Sequence, residues 1–423
     1  MKTNEGKKEF IVLENFDTLL NKYADLIVNK GIAVGEDDYV LINADIEQAP
    51  LVRLVVKNAY QSGAKKVIVN WSDDIITRVN YEGQDVETLT DIPQYKVDEA
   101  HDLLDKRAKR IALRSSNPNA LKGVDPKKIS ESQLASSQAL EKVRNATQAN
   151  VVSWLVCAGA GEEWAKLVFP ELETTEEQVD ALWDQIFKTT RVYEENPVEA
   201  WDAHEATLNE KADFLNAEQF DRLHYTGPGT DFTLGLPKNH VWESAGSVNE
   251  NGEVFIANMP TEEVFTAPDF RRAEGTITSS KPLSYGGTVI DGMTFNFKDG
   301  EVVEVSAEQG EETLKALIND NKGSKSLGEV ALVPHKSPIS QSGIIFYNTL
   351  FDENASNHLA LGQAYATSVQ GGAKMDRDQL EDAGLNRSNV HVDFMVGNGE
   401  MNIDGIKEDG TVVPIFRNGE WAF

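Results

Sequence analysis

Short apolar strands alternate with amphipathic helical segments in the first 200 residues, and this alternation constrains the fold more than any other feature. DDYVLINAD predicts a strand, LVRLVVKNAYQSG a helix and KKVIVNWSD a second strand. A right-handed crossover places two such strands side by side in a parallel sheet. The pattern continues to the strand VVSWLVCAG. Residues 1–200 are therefore predicted to form an N-terminal domain with an open α/β sheet.

The second half of the chain has a different pattern. FNFKDGEVVEV and IDGIKEDGTVVPIF are short alternating strands interrupted by Asp-Gly, a dipeptide that supplies the positive φ of tight hairpins. The acidic stretch 174–216 predicts helices that join the two halves. Residues 201–423 are therefore predicted to form an α+β domain with much antiparallel sheet, within an α/β fold class overall.

The charge balance limits the partners of this chain. Its 423 residues carry 40 basic and 69 acidic side chains, a formal net charge of -29. Such a charge repels nucleic acid and anionic membrane surfaces, so neither is expected as a partner. No stretch approaches the roughly 18 consecutive apolar residues of a membrane span, and residues 1–16 lack an apolar leader. A single cysteine, Cys157, fits a reducing compartment and a buried structural thiol, so the sequence predicts a cytoplasmic protein.

Gly159 and Gly161 follow a predicted strand and resemble the start of a dinucleotide-binding fingerprint. The sixth position of that pattern is Trp164, where close packing of the helix on the strand requires a small residue. No Gly-rich phosphate loop ending in GKS or GKT occurs in the sequence. We therefore predict an ordinary strand-to-helix turn at this position.

An imidazole and a carboxylate share one face of a predicted strand. In HVDFMVG, His391 and Asp393 stand at positions i and i+2, which point to the same side of the pleat. Projecting side by side, they can reach one metal ion or a close pair of ions. A half-exposed strand with two polar residues on its solvent side explains the same pattern.

A second acid and histidine pair has a different geometry. Glu353 and His358 are five residues apart and would point about 140° away from each other on one helix. The spacer favours a turn in which Asn357 caps a helix beginning at HLALGQAYA. Glu353 and His358 would then approach a site from two sides. Helix capping alone explains Asn357 but gives no reason for Glu353 or His358.

Two further segments place carboxylates beside apolar runs. In NMPTEEVFTAP, Glu262 and Glu263 are adjacent and, if extended, point to opposite faces, so only one of them can face a site. In SLGEVALVP, Glu329 opens an otherwise apolar strand. A buried carboxylate without a cation is costly, and metal coordination relieves that cost. The alternatives are a surface turn for Glu263 and a strand-end acid that reaches water for Glu329.

Together these residues form a set of oxygen and nitrogen ligands that suits Zn, Co or Mn. Six ligands are too many for one catalytic ion with an open position, but they fit two ions that share a bridging carboxylate and activate a water between them. The candidate ligands are Glu263, Glu329, Glu353, His358, His391 and Asp393.

Four motifs, in order and with matching spacing, resemble those of the aminopeptidase T and aminopeptidase S family of bacterial metalloaminopeptidases. The resemblance covers essentially the whole chain. It implies a C-terminal catalytic domain preceded by an α/β domain, and a homodimer with an enclosed active site. The motifs are NMPTEEVFTAP, RRAEGTITSSKPLSYGG, ENASNHLALGQAY and NVHVDFMVG.

The resemblance implies roles for individual residues. All six candidates match metal ligands of the family, with Glu329 expected to bridge the two ions and so to act in catalysis. Tyr365 matches a tyrosine that assists catalysis, and it is expected to donate a hydrogen bond to the oxyanion. On the predicted helix Tyr365 would lie two turns after His358 on the same face; the alternative is a tyrosine that only packs. Glu262 is a possible general base or amine-binding carboxylate outside this set.

The predicted function is that of a metal-dependent aminopeptidase, which hydrolyses N-terminal residues from peptides with a water activated by two metal ions. The substrates would be peptides with a free N-terminus. Another dinuclear hydrolase, such as a dipeptidase, amidase or phosphoesterase, uses the same ion pair. A noncatalytic scaffold that binds metal only for stability is the alternative from a different class.

Overall fold

The computed structural model describes residues 13, 15–115, 117–285 and 288–423. The sequence predicts no apolar leader in residues 1–16, and most of that segment lies outside the described residues. The α-helices, numbered α1 to α14 in chain order, are Phe16–Leu26, Ala49–Gln61, Asp74–Gly83, Val86–Thr90, Gln94–Asp105, Pro126–Ala139, Glu141–Gln148, Glu162–Val168, Thr175–Thr189, Pro197–Glu218, Glu311–Asp320, Pro338–Ser342, Thr349–Asp352 and Arg377–Asp382.

The β-strands, numbered β1 to β21 in chain order, are Tyr39–Asp45, Lys66–Ser72, Lys109–Arg114, Trp154–Ala158, Arg222–Gly227, Thr230–Gly235, Gly246–Val248, Val254–Ile256, Asn258–Met259, Val264–Thr266, Ala273–Thr278, Leu283–Tyr285, Thr288–Ile290, Thr294–Lys298, Glu301–Ser306, Leu327–Leu332, His358–Gly362, His391–Met395, Asn402–Ile406, Val412–Arg417 and Glu420–Trp421. A π-helical segment, Ile27–Gly31, follows α1. Short 3-10 helices occur at Ile46–Gln48, Glu353–Ala355, Ala366–Ser368 and Gly372–Lys374.

A five-stranded parallel sheet forms the first part of the molecule, with strand order β2-β1-β3-β4-β9. Its strand pairs all run parallel, which confirms the predicted open α/β sheet. β9 joins the sheet beside β4 although it lies well after residue 200. The second half of the chain thus contributes one strand to the first sheet, and the division of the chain at residue 200 remains a prediction.

Two long helices, α9 and α10, connect the halves within the acidic stretch 174–216, as predicted. α9 begins with a capping box in which the Thr174 and Glu177 side chains each accept a hydrogen bond from the other's backbone amide. The Asn196 side chain caps α10 in the same way, by accepting from two amides of its first turn. Neither of these nor any other described helix is both long enough and apolar enough to cross a bilayer.

Cys157 and the glycine turn that follows it are structural. Burial raises the pKa of the Cys157 thiol to about 12, so the thiol stays protonated. A side chain at Gly159 would overlap that of Gln48, so this glycine permits a close approach to the strand end. Trp164 of α8 is buried and donates its Nε1–H to the Phe346 carbonyl at 2.6 Å. The turn therefore joins β4 to a helix packed into the core.

The second half is built mainly from antiparallel strands, as predicted. Eight strands form a sheet in the order β15-β14-β11-β6-β5-β19-β20-β21. Asp299 and Gly300 both adopt positive φ, 52° and 85°, in the turn between β14 and β15. Four strands form a separate sheet in the order β10-β16-β17-β18, with antiparallel pairs throughout. Strands of this four-stranded sheet carry four of the six candidate metal ligands, Glu329, His358, His391 and Asp393.

The segment HLALG is a strand, so the prediction of a helix beginning there is wrong. This strand, β17, lies between β16 and β18, and all five of its residues are buried. Pairing on both edges overrides the local helical preference. Asn357, predicted to cap that helix, instead accepts a hydrogen bond from the Val333 amide at 2.7 Å. The helix cap of this region is Asn348, whose side chain accepts from the Leu350 amide at the start of α13.

Candidate metal centre

The strand register of the four-stranded sheet places three candidate ligands on one face. Ala331 of β16 lies opposite His358 of β17. Glu329 lies opposite Ala360, which in turn lies opposite Asp393 of β18. Residues directly opposite each other share a face, and so do residues two apart on a strand. Glu329, His358 and Asp393 therefore project from the same side of the sheet.

The same rule adds the remaining strand ligands to this face. His391 lies opposite Gly362, two residues before Asp393 on β18. Its position confirms the predicted placement of His391 and Asp393 on one side of a strand. Glu263 stands two residues before Phe265, which lies opposite Ala331. Side chains from four neighbouring segments thus converge without any of them being adjacent in sequence.

A β-bulge at Gly328 orients Glu329. Leu327 lies opposite Leu361, but the next pair is Glu329 with Ala360, so β16 uses one residue more than β17. In a regular strand Leu327 and Glu329 would share a face. The bulge lets Leu327 enter the core while Glu329 points to the polar side. A side chain at Gly328 would overlap backbone carbonyl oxygens of the neighbouring segment, so the bulge requires glycine.

Two groups of three side chains meet at Glu329. His358 Nε2 lies 3.2 Å from Glu263 Oε2 and 3.4 Å from Glu329 Oε1. His391 Nε2 lies 3.3 Å from Asp393 Oδ1 and 3.6 Å from Glu329 Oε2. In each group the ligand atoms lie within 4.8 Å of one another. Glu329 thus offers one carboxylate oxygen to each group, which is the geometry that a bridging carboxylate requires.

Backbone carbonyls orient both imidazoles towards the carboxylates. His358 Nδ1 lies 3.1 Å from the Ser356 carbonyl oxygen, and His391 Nδ1 lies 2.7 Å from that of Gln363. A carbonyl accepts only from N–H, so Nδ1 carries a proton in each ring and Nε2 is left to bind a cation. This second contact is typical of histidines that ligate metal ions.

Without a cation, protons neutralise part of the charge in the cluster. Burial opposes charge on His358, but the Glu263 and Glu329 carboxylates raise its pKa well above the ordinary value. Burial likewise opposes charge on His391, but the Asp393 and Glu329 carboxylates raise its pKa to about 10. Burial raises the pKa of Glu329 itself. Metal binding would displace such protons.

The donor set fits divalent cations. Its atoms are carboxylate oxygens and imidazole nitrogens, the ligands that suit Zn, Co or Mn. Glu263 Oε2 is buried and, apart from its ion-pair contact with His358 at 3.2 Å, has no hydrogen-bond partner within the described residues. A buried carboxylate oxygen without a partner is costly, and a cation between it and the imidazole nitrogen would remove that cost.

Glu353 lies beside these groups and belongs to neither. It follows α13 at the start of a 3-10 helix, which brings it to the sheet from the side rather than along a strand. Burial raises its pKa well above the ordinary value, and the Asp393 and Glu263 carboxylates raise it further. The structure therefore collects five of the six candidate ligands into two groups and leaves the sixth close enough to interact with their charges.

Tyr365 lies in the loop after β17, so its predicted place on a helix is wrong. It immediately precedes the 3-10 helix Ala366–Ser368. Its ring centroid lies 5.3 Å from that of His391 and 6.2 Å from that of Phe265. Burial and the neighbouring carboxylates, with Glu329 foremost, raise the pKa of the Tyr365 hydroxyl well above its ordinary value. The hydroxyl therefore remains a hydrogen-bond donor beside the ligands.

A cavity of about 830 Å³ reaches the ligand cluster at His391, one of the residues that line it. Tyr365 and His391 line it from the sheet side, and Gln138 and Arg144 line it from α6 and α7. Tyr365 has 36% of its surface exposed and is one of the residues that line the cavity. The cavity places the ligand cluster in contact with a space large enough for several amino-acid residues.

Glu262 is occupied by other partners. Its Oε1 lies 2.8 Å from Arg191 Nη2, and its Oε2 lies 3.6 Å from His204 Nε2. The backbone amide of Glu262 donates to Asn354 at 2.8 Å. Glu262 therefore points away from Glu263, as its parity predicts. This neutralised carboxylate anchors the segment that carries Glu263 to α10.

One buried carboxylate near the cluster has no signal in the sequence. Glu243 pairs with Phe265 through two backbone hydrogen bonds. Its Oε1 is buried and has no hydrogen-bond partner within the described residues. The pattern VWESAG predicts nothing, since Glu243 reaches the sheet only through a pairing with a segment 22 residues further along the chain.

Comparison with known proteins supports a metal-dependent enzyme. The chain is 57% identical to aminopeptidase PepS of Streptococcus thermophilus and 50% identical to aminopeptidase AmpS of Bacillus subtilis, in each case over 97% of this chain and 100% of the relative. The structure of wild-type AmpT from Thermus thermophilus superposes with a TM-score of 0.91 at 39% identity, covering 96% of this chain and 100% of AmpT.

The model of the thermophilic metalloprotease (M29) family matches residues 16–421. This match and the relatives confirm the resemblance found in the four sequence motifs, and the AmpT structure confirms the fold class. The chain belongs to the thermophilic metalloprotease (M29) family.

Proposed function

We propose that this protein is a metal-dependent aminopeptidase, which removes N-terminal residues from peptides. One observation carries the proposal: two groups of ligand atoms share the Glu329 carboxylate at the edge of a cavity, one oxygen facing each group. The names of the relatives, aminopeptidases at 50% and 57% identity, supply the reaction.

The proposed ligands would hold two divalent ions, Zn, Co or Mn. Glu263 and His358 would hold one ion, His391 and Asp393 would hold the other, and the Glu329 carboxylate would contribute one oxygen to each. Glu353 is proposed as the sixth ligand, reaching the pair from the 3-10 helix that contains it. When bound, such ions polarise a carbonyl and lower the pKa of water so that hydroxide is available near neutral pH.

The residues of the chain itself orient the reaction. Nδ1 of each imidazole donates to a backbone carbonyl, which holds Nε2 towards the ions. Tyr365 donates its O–H to the oxygen that becomes negatively charged in the tetrahedral transition state. The buried strands β16 and β17 keep this face rigid, so the donors need no rearrangement during the reaction.

The proposal extends to the assembly and the location of the protein. We propose a homodimer with an enclosed active site, in line with the family resemblance of the four motifs. The one cysteine is a free, buried thiol, which supports the cytoplasm as the compartment. The proposed substrates are peptides with a free N-terminus, and the strongly acidic surface gives no support to a polyanionic partner.

The test is hydrolysis of matched substrates by the protein loaded with Zn, Co or Mn. Aminoacyl chromogenic substrates should be cleaved, and their N-blocked counterparts should resist. Cleavage of the blocked forms, or of phosphoesters alone, would identify a different dinuclear hydrolase. A protein that hydrolyses none of these, but whose melting temperature rises with metal, would be a metal-stabilised scaffold.

A further inference from the structure

Glu243 extends the face of the four-stranded sheet at its open edge. Its backbone forms an antiparallel bridge with Phe265 of β10, with N–H to O distances of 2.8 and 3.0 Å. Phe265 lies opposite Ala331, and Ala331 lies opposite His358. Residues directly opposite each other share a face. The Glu243 side chain therefore lies on the same side of the sheet as the candidate ligands.

The Glu243 side chain is half-buried, and its carboxylate is incompletely paired. Thr367 is its hydrogen-bonding neighbour, and Thr367 also lines the cavity beside Tyr365. The other oxygen, Oε1, is buried without a hydrogen-bond partner. None of the ion pairs between described residues includes Glu243, and it belongs to neither ligand group. A buried carboxylate in this state lacks a cation.

The surroundings of Glu243 suit an ammonium group better than a metal ion. They offer one carboxylate, the Thr367 hydroxyl and the Phe265 side chain on the opposite strand position, and neither group of candidate metal ligands among the described residues includes Glu243. An ammonium carries three N–H donors and is attracted to aromatic faces. Glu262, the other acid considered from sequence, already pairs with Arg191 and is not free for such a role.

We propose that the Glu243 carboxylate binds the α-ammonium group of the peptide substrate. The inference rests on the proposed aminopeptidase function and names its specificity determinant. The ligand cluster and Glu243 occupy one face, so a substrate can place its scissile carbonyl at the first and its N-terminus at the second. A blocked N-terminus has no positive charge and would leave the buried carboxylate unpaired, which is how such sites reject analogues.

The experiment compares Glu243→Gln with the wild type in the metal-loaded protein. Glutamine preserves shape and removes the charge. We expect KM for aminoacyl substrates to rise about 10- to 100-fold, the loss of one charge-assisted hydrogen bond, while kcat and the number of bound ions stay near wild type. Glu420→Gln is the matched control, because Glu420 is also half-buried with a buried, unpartnered Oε1 but lies on β21 of the other sheet.

Calorimetric binding provides a readout that does not depend on turnover. Leucinol and 4-methylpentan-1-ol differ only in the amine, and neither has a bond that a peptidase can hydrolyse. Wild type and Glu420→Gln should bind leucinol 10- to 100-fold more tightly, and Glu243→Gln should bind the two alike. A variant that keeps the preference, or that loses metal ions, overturns the assignment.

A second variant guards against misfolding of the first. Thr367→Val removes the hydrogen bond to Glu243 and retains the charge, so it should raise KM in the same direction but by a smaller factor. An unchanged KM for both variants in an active enzyme overturns this inference alone. A wild-type protein that cleaves no aminoacyl substrate instead overturns the proposed function.

Discussion

Two regions of this protein place polar groups where a ligand site is expected, and they differ in how those groups are paired. At the end of β4, in the parallel sheet, Gln48 packs against Gly159 and donates to the Ala160 carbonyl at 2.8 Å. The Glu47 carboxylate accepts from the Glu162 amide at 3.1 Å, at the start of α8. The protein itself fills the position where a nucleotide-binding fold would hold a phosphate.

The four-stranded sheet presents the opposite condition. Buried carboxylates converge on one another, and oxygens of Glu263 and Glu243 have no hydrogen-bond partner among the described residues. No described lysine or arginine forms an ion pair with Glu263 or Glu243, so no basic side chain of these types neutralises their negative charge. The contrast teaches that incomplete pairing, rather than the presence of polar residues at a strand end, marks a place built for a ligand.

The largest effect is expected from Glu329→Ala. Loss of the shared carboxylate should lower peptidase activity at least about a thousandfold, beyond the roughly 10- to 100-fold cost of changes behind the ligands, and should reduce bound metal below the two ions expected per chain. Elemental analysis and steady-state kinetics measure both. Glu47→Gln in the paired region is the control and should retain metal and activity. Full activity in Glu329→Ala would refute the bridging role.

Tyr365→Phe is expected to separate chemistry from metal binding. Removal of one donor to a developing oxyanion costs roughly 100- to 1000-fold in kcat, while metal content and thermal stability should remain at wild-type values. Rapid kinetics and elemental analysis on the same preparation test this. A fall in metal content parallel to the fall in kcat would make Tyr365 a support for the ligands and not a participant.

Arg191→Leu tests the ion pair between Arg191 and Glu262, in which the protein supplies both charges. The change leaves Glu262 buried without its cation, and the free energy of unfolding of the metal-free protein should fall by about 2 to 3 kcal/mol. This lies below the roughly 3 to 5 kcal/mol of a fully buried pair because the Arg191 side chain is 16% exposed. Urea unfolding measures it. The double variant Arg191→Leu, Glu262→Leu should recover stability; no recovery would show that charge is not the cause.

Gly161→Ala tests the turn at the end of β4. A methyl group there would overlap the Ser115 carbonyl oxygen, and overpacking of this kind costs typically 1–3 kcal/mol. Thermal unfolding should report the loss, whereas kcat and metal content should not change, because the turn lies in the parallel sheet and outside both groups of candidate ligands. Gly83→Ala is a suitable control, since a methyl group at Gly83 meets no heavy atom within 4 Å. Altered metal content in Gly161→Ala would connect the two regions.

The smallest effect concerns pH. Burial lowers the pKa of His204, only partly offset by the Glu262 carboxylate, and its Nδ1 already faces an N–H of Arg191 at 3.0 Å. The unfolded chain therefore takes up the proton more readily, so stability is retained above the ordinary value of about 6.5 and declines as pH falls below it. Between pH 7 and 5.5, wild type should lose more stability than His204→Gln, by less than about 1 kcal/mol. Equal losses would contradict the shift.

Sequence patterns correctly predicted the features that depend on the alternation of polar and apolar side chains along a single strand. His391 and Asp393 share a face because they are two apart on a strand, and Glu329 lies in an apolar strand that is buried along its length. The same reasoning failed for the strand at His358, since pairing on both of its edges decided its conformation. The predicted position of Tyr365 was wrong for the same reason, because it assumed a helix that begins at His358. The sequence could not predict the position of Glu243, because that position depends on a backbone bridge to a segment distant in sequence.

The bulge at Gly328 also determines which mutations this protein can tolerate over evolution. Loops between the strands can gain or lose residues while the four segments stay paired, so length variation there leaves the polar face intact. The bulge accommodates the one extra residue of β16, so deletion of Gly328 would still leave Leu327 and Glu329 opposite Leu361 and Ala360, on opposite faces. Deletion of Val330, in the regularly paired part of the strand, would instead turn either Glu329 or Ala331 to the wrong side. Selection must therefore preserve the register of strand pairing more strictly than the length of the chain, because the register decides on which face of the sheet each side chain lies.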